Sequence, residues 1–240
     1  MNKTLKIILI ILLVIIVAIG GIGFALIRSV LYPDVLISGT GEKKVVCVGD
    51  SITYSQGVLT TRDTESYPAI LATLLGDEYQ TYNFGLCNRT LLSSGNMPYT
   101  NEDFATESLT IDADIVIIML GTNDSKPANW NAGQYEAEYV QFVQNYQNME
   151  SAPEVYIMLP PRVFLEDTDD GNCNDATLKN EVIPAIERVA AQTGAKLIDL
   201  YAVTEEHPEW FSDGLHPNAA GNQAIAQAIC EQITSDLEMK

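Results

Sequence analysis

Apolar positions fall into two regimes along this chain. From Ile7 to Ile27 they run without one charged residue. Isoleucine and leucine continue all round a helix there, so no polar face is left. A helix of about 20 such residues crosses a bilayer core. From Lys44 onward the apolar segments are short and alternate between two periods. Lys44–Val48, Tyr79–Phe84, Ile115–Leu120, Val155–Leu159 and Lys196–Leu200 read as strands, and the continuous run Ile115–Leu120 predicts burial on both faces. Tyr67–Leu75, Gln134–Met149, Leu178–Gln192 and Ala219–Leu237 carry helical spacing. Pro184 predicts a kink or restart in the third of these, which Gly194 ends. The alternation predicts an α/β domain on a parallel sheet covered on both faces. Ligands in such sheets bind beyond the carboxyl ends of the strands. Tyr32–Glu42, with Pro33, Gly39 and Gly41, reads as a linker. The predicted organisation is a stub and membrane anchor over 1–30, a linker over 31–43, and a folded domain over 44–240.

Charge orients the anchor. Lys3 and Lys6 precede the apolar run and Arg28 alone flanks its far side. The positive-inside bias then leaves the N-terminus in the cytoplasm and the domain outside. The run exceeds the usual signal-peptide core of about 7–15 residues, and no small-x-small site follows it, so an uncleaved anchor is expected, with a cleaved signal as the alternative. Of 13 basic residues, three fall in this segment, leaving 10 against all 32 acids. Such a surface repels nucleic acid and anionic headgroups and suits neutral or weakly charged substrates. Cys47, Cys87, Cys173 and Cys230 form no C-x-x-C pair, so neither a zinc site nor a disulfide-dense scaffold is expected. Cys87 and Cys173 fall in loops, where they could pair outside the cell. The acidic loop Glu166–Asp175 departs from the EF-hand pattern and predicts no calcium site. No cofactor or metal is implied.

Three polar segments begin where predicted strands end: Gly49-Asp50-Ser51, Asn83-Phe84-Gly85 and Gly121-Thr122-Asn123-Asp124. A fourth, Asp213-Gly214-Leu215-His216-Pro217, precedes the last helix. The sheet rule gathers the first three on one edge. Serine becomes a nucleophile only when a base takes its proton. The chain has two histidines, and only His216 has an aspartate three residues before it. That spacing lets Asp213 hold one ring nitrogen while the other faces Ser51. His207, beside Glu205 and Glu206, lacks this context. The backbone N–H groups of Ser51 and Gly85 and the amide of Asn123 are the expected oxyanion donors. Asp50 and Asp124 suit helix caps or hydrogen-bonding supports. Asp50, Arg89 and Trp130 are also candidate substrate contacts; Arg89 reads equally as an ion-pair partner, and Trp130 as a sugar platform or a loop anchor. No G-x-S-x-G elbow surrounds Ser51.

These four blocks, in this order, resemble those of the SGNH, or GDSL-like, hydrolases. The resemblance covers about residues 44–235. It implies a flavodoxin-like three-layer sandwich with a five-stranded parallel sheet in the order 2-1-3-4-5. It gives Ser51, Gly85, Asn123, Asp213 and His216 the same roles as above. The stretches Gly121–Pro127, Asn129-Trp130 and Arg89-Thr90 are similar to bacterial carbohydrate-esterase branches, although many relatives have glycine where this chain has Asn88. The expected function is an extracytoplasmic esterase acting on small acyl groups, O-acetyl foremost, of a sugar. A lysophospholipase or thioesterase, an acyltransferase with the same triad, and an inactive sugar-binding module are the alternatives.

Overall fold

The computed structural model describes residues 33–166 and 172–239, with Val17, Gly20, Gly21 and Gly23. The predicted membrane span Ile7–Ile27 otherwise lies outside the described residues, as do 167–171 of the acidic loop. Among the described residues no helix is long and apolar enough to cross a membrane. The segment Val35–Lys240 is one compact unit.

The unit is built on six strands: β1 (Leu36–Gly39), β2 (Lys43–Gly49), β3 (Tyr79–Gly85), β4 (Ile115–Met119), β5 (Glu154–Leu159) and β6 (Lys196–Asp199). Their spatial order is β1-β3-β2-β4-β5-β6. The last five are parallel and keep the expected order. The sheet is nevertheless mixed and six-stranded, because β1 pairs antiparallel with β3. β1 lies inside the segment read as a linker. Its alternating half-buried and exposed residues cover the edge that β3 would otherwise leave open.

Alternate residues of each strand feed two cores. Val46, Val48, Val116, Ile118 and Ile157 face α3 (Ala132–Gln147) and α4 (Ile183–Thr193), with α1 (Ser51–Tyr54) and α2 (Tyr67–Leu75) preceding them in the chain. Val45, Cys47, Ile115, Ile117 and Met158 face α2 and α5 (Ala219–Glu238) on the other side. β4 is buried at every position, as its unbroken apolar run predicts. Ser66 caps α2 by accepting from the Ala69 N–H, with Pro68 in the first turn. Pro184 is accommodated by a π-helical turn over Leu178–Val182, after which α4 restarts with proline in its first turn.

α5 is tied to the nucleophile side by one buried amide. Asn222 Oδ1 accepts from Ser55 Oγ and from the Tyr67 N–H, both at 3.0 Å, while its Nδ2 donates to Pro217 O at 2.8 Å. Asn222→Ala strands the buried Tyr67 N–H and Pro217 O, while Ser55 Oγ can still turn to Ile52 O, and is expected to cost about 2 kcal/mol of stability. Thermal melting should show the loss. A melting temperature equal to wild type would show that the amide fastens nothing.

Candidate active site

The register of three adjacent strands sets the site. Gly49 of β2 lies level with Gly85 of β3 and with Met119 of β4. Their carboxyl ends therefore release Ser51, the turn after Gly85 and the loop Gly121–Trp130 on one edge, as the sheet rule requires. Asp50 caps the short helix α1, its Oδ1 accepting from the Ile52 N–H at 2.9 Å. Ser51 is the first residue of that helix, so its own N–H has no acceptor within the helix.

His216 arrives from the opposite direction, at the entry to α5. Gly57 permits this approach: a Cβ there would lie 2.2 Å from Pro217 O and 3.0 Å from His216 O. His216 Nε2 stands 2.9 Å from Ser51 Oγ, and its Nδ1 stands 2.6 Å from Asp213 Oδ2. Asp213 Oδ1 also accepts from the backbone N–H groups of Leu215 and His216 at 3.0 and 2.7 Å. Partial burial works against the Asp213 carboxylate. The hydrogen bonds from His216 and Leu215 outweigh it and hold its pKa below the usual value. Ser51 and His216 are buried, whereas the Asp213 side chain is 56% exposed. A serine, an imidazole and a carboxylate in such a chain can pass a proton from the hydroxyl to the ring as the oxygen attacks. His207 is not part of the chain. It stacks on Trp210 with ring centroids 3.8 Å apart and bonds Glu209 at 2.8 Å.

The expected oxyanion donors divide. The Gly85 N–H is already donated to Asn83 Oδ1 at 2.9 Å, so it is not free for a ligand. Glycine is needed at 85 for packing, since a Cβ there would lie 2.1 Å from Tyr54 N. Asn83 completes this clasp by donating to Thr53 O at 2.8 Å, which locks α1 to β3. Asn123 is buried beside Asp50. Its Nδ2 lies 3.3 Å from Asp50 Oδ2 and 3.2 Å from Arg89 O, and both contacts are at the long end of the range.

Three candidate substrate contacts are committed elsewhere. Asp50 is fully buried and spends both oxygens on protein donors. Arg89 is fully buried, paired with Glu102 at 2.9 Å and donating to Cys87 O at 2.7 Å, so it ties two loops together. Trp130 donates its Nε1–H to Glu181 at 2.5 Å and packs against Tyr135, which makes it a loop anchor. Asp124 accepts from the Leu91 and Leu92 N–H groups at 2.9 and 2.8 Å and so holds the loop beyond Arg89. Burial pushes Asp50 up to about 7 and Asp124 up to about 6. Asn88 takes a left-handed φ of 67°, the conformation a glycine adopts freely, and asparagine is the side chain best suited to replace it. All four cysteines are unpaired; Cys87 and Cys173 are buried, and burial pushes each thiol up to about 12.

Sequence reasoning missed Gly57, Asn222, the clasp made by Asn83 and the bridge made by Asn129. Asn129 takes the Asn96 N–H on its Oδ1 at 3.0 Å and donates to Asn123 O at 2.9 Å. Two asparagines in polar loops carry no local signal of such bridges.

Known proteins resemble the chain at this level. It is 33% identical over 209 residues to an acetylxylan esterase of Xylanibacter ruminicola, a match covering 79% of this chain and 43% of that protein, so the chain spans less than half of that relative's length. Its fold resembles that of Est24, a carbohydrate acetylesterase from Sinorhizobium meliloti, with a TM-score of 0.66 at 20% identity, over 81% of this chain and 99% of the other. An aryl esterase of M. smegmatis matches with a TM-score of 0.62 at 22% identity, over 80% and 99%. Residues 47–224 match the GDSL-like Lipase/Acylhydrolase family, which spans all four motifs, and the chain belongs to that family.

Proposed function

We propose that the domain is a serine esterase that removes small acyl groups, O-acetyl foremost, from carbohydrate through an acyl-enzyme on Ser51. The continuous chain Ser51–His216–Asp213, at 2.9 and 2.6 Å, carries this reading. Ser51 Oγ attacks the ester carbonyl while His216 Nε2 takes its proton. Asp213 stabilises the resulting imidazolium and keeps the ring oriented. The Ser51 N–H and the Asn123 amide receive the developing oxyanion. His216 then returns the proton to the departing sugar oxygen, and the acyl group stays on Ser51. Water repeats the sequence in reverse and releases the acid.

The substrate class rests on the surroundings and on kinship. Asn88, Ser93, Ser94 and Asn96 are exposed on the loops beyond β3, with the two serine hydroxyls donating to Glu138 and Gln134 and keeping their lone pairs toward solvent, and Asn129 ties that rim to Asn123. Such a rim offers hydrogen bonds to hydroxyls and little apolar area to a long chain. The relatives named above as acetylxylan and carbohydrate acetylesterases favour the same substrates. The lysines before the apolar run favour an anchored domain outside the membrane.

Ser51→Ala should lower turnover of p-nitrophenyl acetate by several orders of magnitude and leave the melting curve unchanged. His216→Ala should be as damaging, Asp213→Asn intermediate, and His207→Ala close to wild type. Equal losses at the two histidines would remove His216 from its role. Across acetyl, butyryl and octanoyl esters of one leaving group, kcat/KM should fall with chain length. Each methylene buried in an apolar slot would add about 0.8 kcal/mol of binding, so a rising series would point to a lipid substrate instead. Protease added to intact cells should cleave the domain; a soluble product starting beyond Ile27 would identify a cleaved signal.

A further inference from the structure

Asp50 is the side chain next to the nucleophile that the reaction scheme leaves unused. It is fully buried, and no lysine or arginine pairs with it among the described residues. A buried carboxylate without a direct ion-pair partner is costly, even with the charge of Lys126 acting on it from farther off, so capping α1 is a poor reason to keep one. Serine, threonine or asparagine caps a helix as well with a single acceptor. What a carboxylate adds is a second acceptor atom pointing elsewhere. Asp50 uses both: Oδ1 takes the Ile52 N–H at 2.9 Å and Oδ2 takes Asn123 Nδ2 at 3.3 Å.

We propose that Asp50 is a positioning residue that couples the nucleophile's helix to the Asn123 amide, fixing the oxyanion donor relative to Ser51. The inference rests on the oxyanion role given to Asn123 above. One carboxylate spans the two donor-bearing elements, so a shift of α1 carries the amide with it. Arg89 O holds the same nitrogen at 3.2 Å, and Cys173 Sγ, 3.9 Å away, donates weakly to Asn123 Oδ1. The amide plane is thereby set from three sides. Because both Nδ2 contacts are long, one hydrogen can be given up to a developing oxyanion while the other keeps the plane in place.

The test is a double-mutant cycle on p-nitrophenyl acetate hydrolysis, with each variant's melting curve as a fold control. Asp50→Asn retains one acceptor for Ile52 but sets an N–H₂ group against the Asn123 amide when that acceptor serves the cap. Asp50→Ser retains a cap oxygen and offers Asn123 nothing. Both should lower kcat by about 10-fold or more while KM stays within about twofold, the pattern of a group acting only in the transition state. Asn123→Ala should lower kcat by about 10²–10³. In the Asn123→Ala background the Asp50 changes should add less than about twofold, because residues acting as one unit are not additive. If the losses multiply in the double variant while Asn123→Ala alone is costly, Asp50 works independently and the proposal fails. Full kcat in Asp50→Ser overturns it as well. Wild-type kcat in Asn123→Ala would sink both the oxyanion role and this inference.

Discussion

The site depends on how closely α1 can settle over the ends of β2 and β3. Ser51 follows Gly49 by two residues, so the chain must leave the sheet and turn into helix almost at once. At Gly49 a Cβ would lie 2.6 Å from Met119 O and 2.2 Å from Thr53 Oγ1; at Gly85 it would lie 2.1 Å from Tyr54 N. No side chain fits between the helix and either strand. Asn83 then fastens the approach from below by bonding Thr53 O. A serine in this position has its hydroxyl at the sheet edge, its N–H unclaimed by the helix, and little freedom in either.

The base is held from another part of the chain, and the two halves meet through backbone rather than side chains. Gly57 presses against His216 and Pro217, while Asn222 bridges Ser55, Tyr67 and Pro217. Residues about 165 positions apart are thus brought to 2.9 Å by contacts that contain no catalytic group. Such support suits a triad, because proton transfer among its members works only when their distances and orientations are held.

Strand periodicity made the strands β2 to β6 legible from sequence alone, and the four motifs did the same for the nucleophile–base pairing, while the order of the strands followed only from the family resemblance those motifs carry. The first two are local signals: an apolar run such as Ile115–Leu120, or an aspartate three residues from a histidine. What could not be read depends on partners far along the chain. β1 was hidden because Pro33, Gly39 and Gly41 outweigh a four-residue alternation. Arg89 read equally as a ligand contact and as an ion-pair partner because Glu102, which neutralises it, lies outside the motif. The Gly85 N–H seemed available because nothing in Asn83-Phe84-Gly85 announces which way the Asn83 amide turns. Nothing in the helical spacing of Ala219–Leu237 marks Asn222 as fully buried.

Three aspartates near the nucleophile show how environment divides labour among identical groups. Asp213 must remain charged to support an imidazolium, and it is the one left half in water. It accepts from the His216 ring and from two backbone N–H groups, which hold its pKa down against partial burial. Asp50 and Asp124 are buried completely, which pushes them up to about 7 and about 6, and a like charge nearby adds to each, Asp124 for Asp50 and Glu138 for Asp124. Neither contacts the histidine. Each instead accepts two hydrogen bonds that fasten a loop or a helix. A buried carboxylate is the poorer electrostatic partner for a cation that must form and vanish in every turnover, since its own ionisation is uncertain near neutral pH. It is the better clamp, because it offers two acceptor atoms in fixed directions. The split places the dependable charge at the solvent side of His216 and the rigid acceptors behind Ser51 and Asn123.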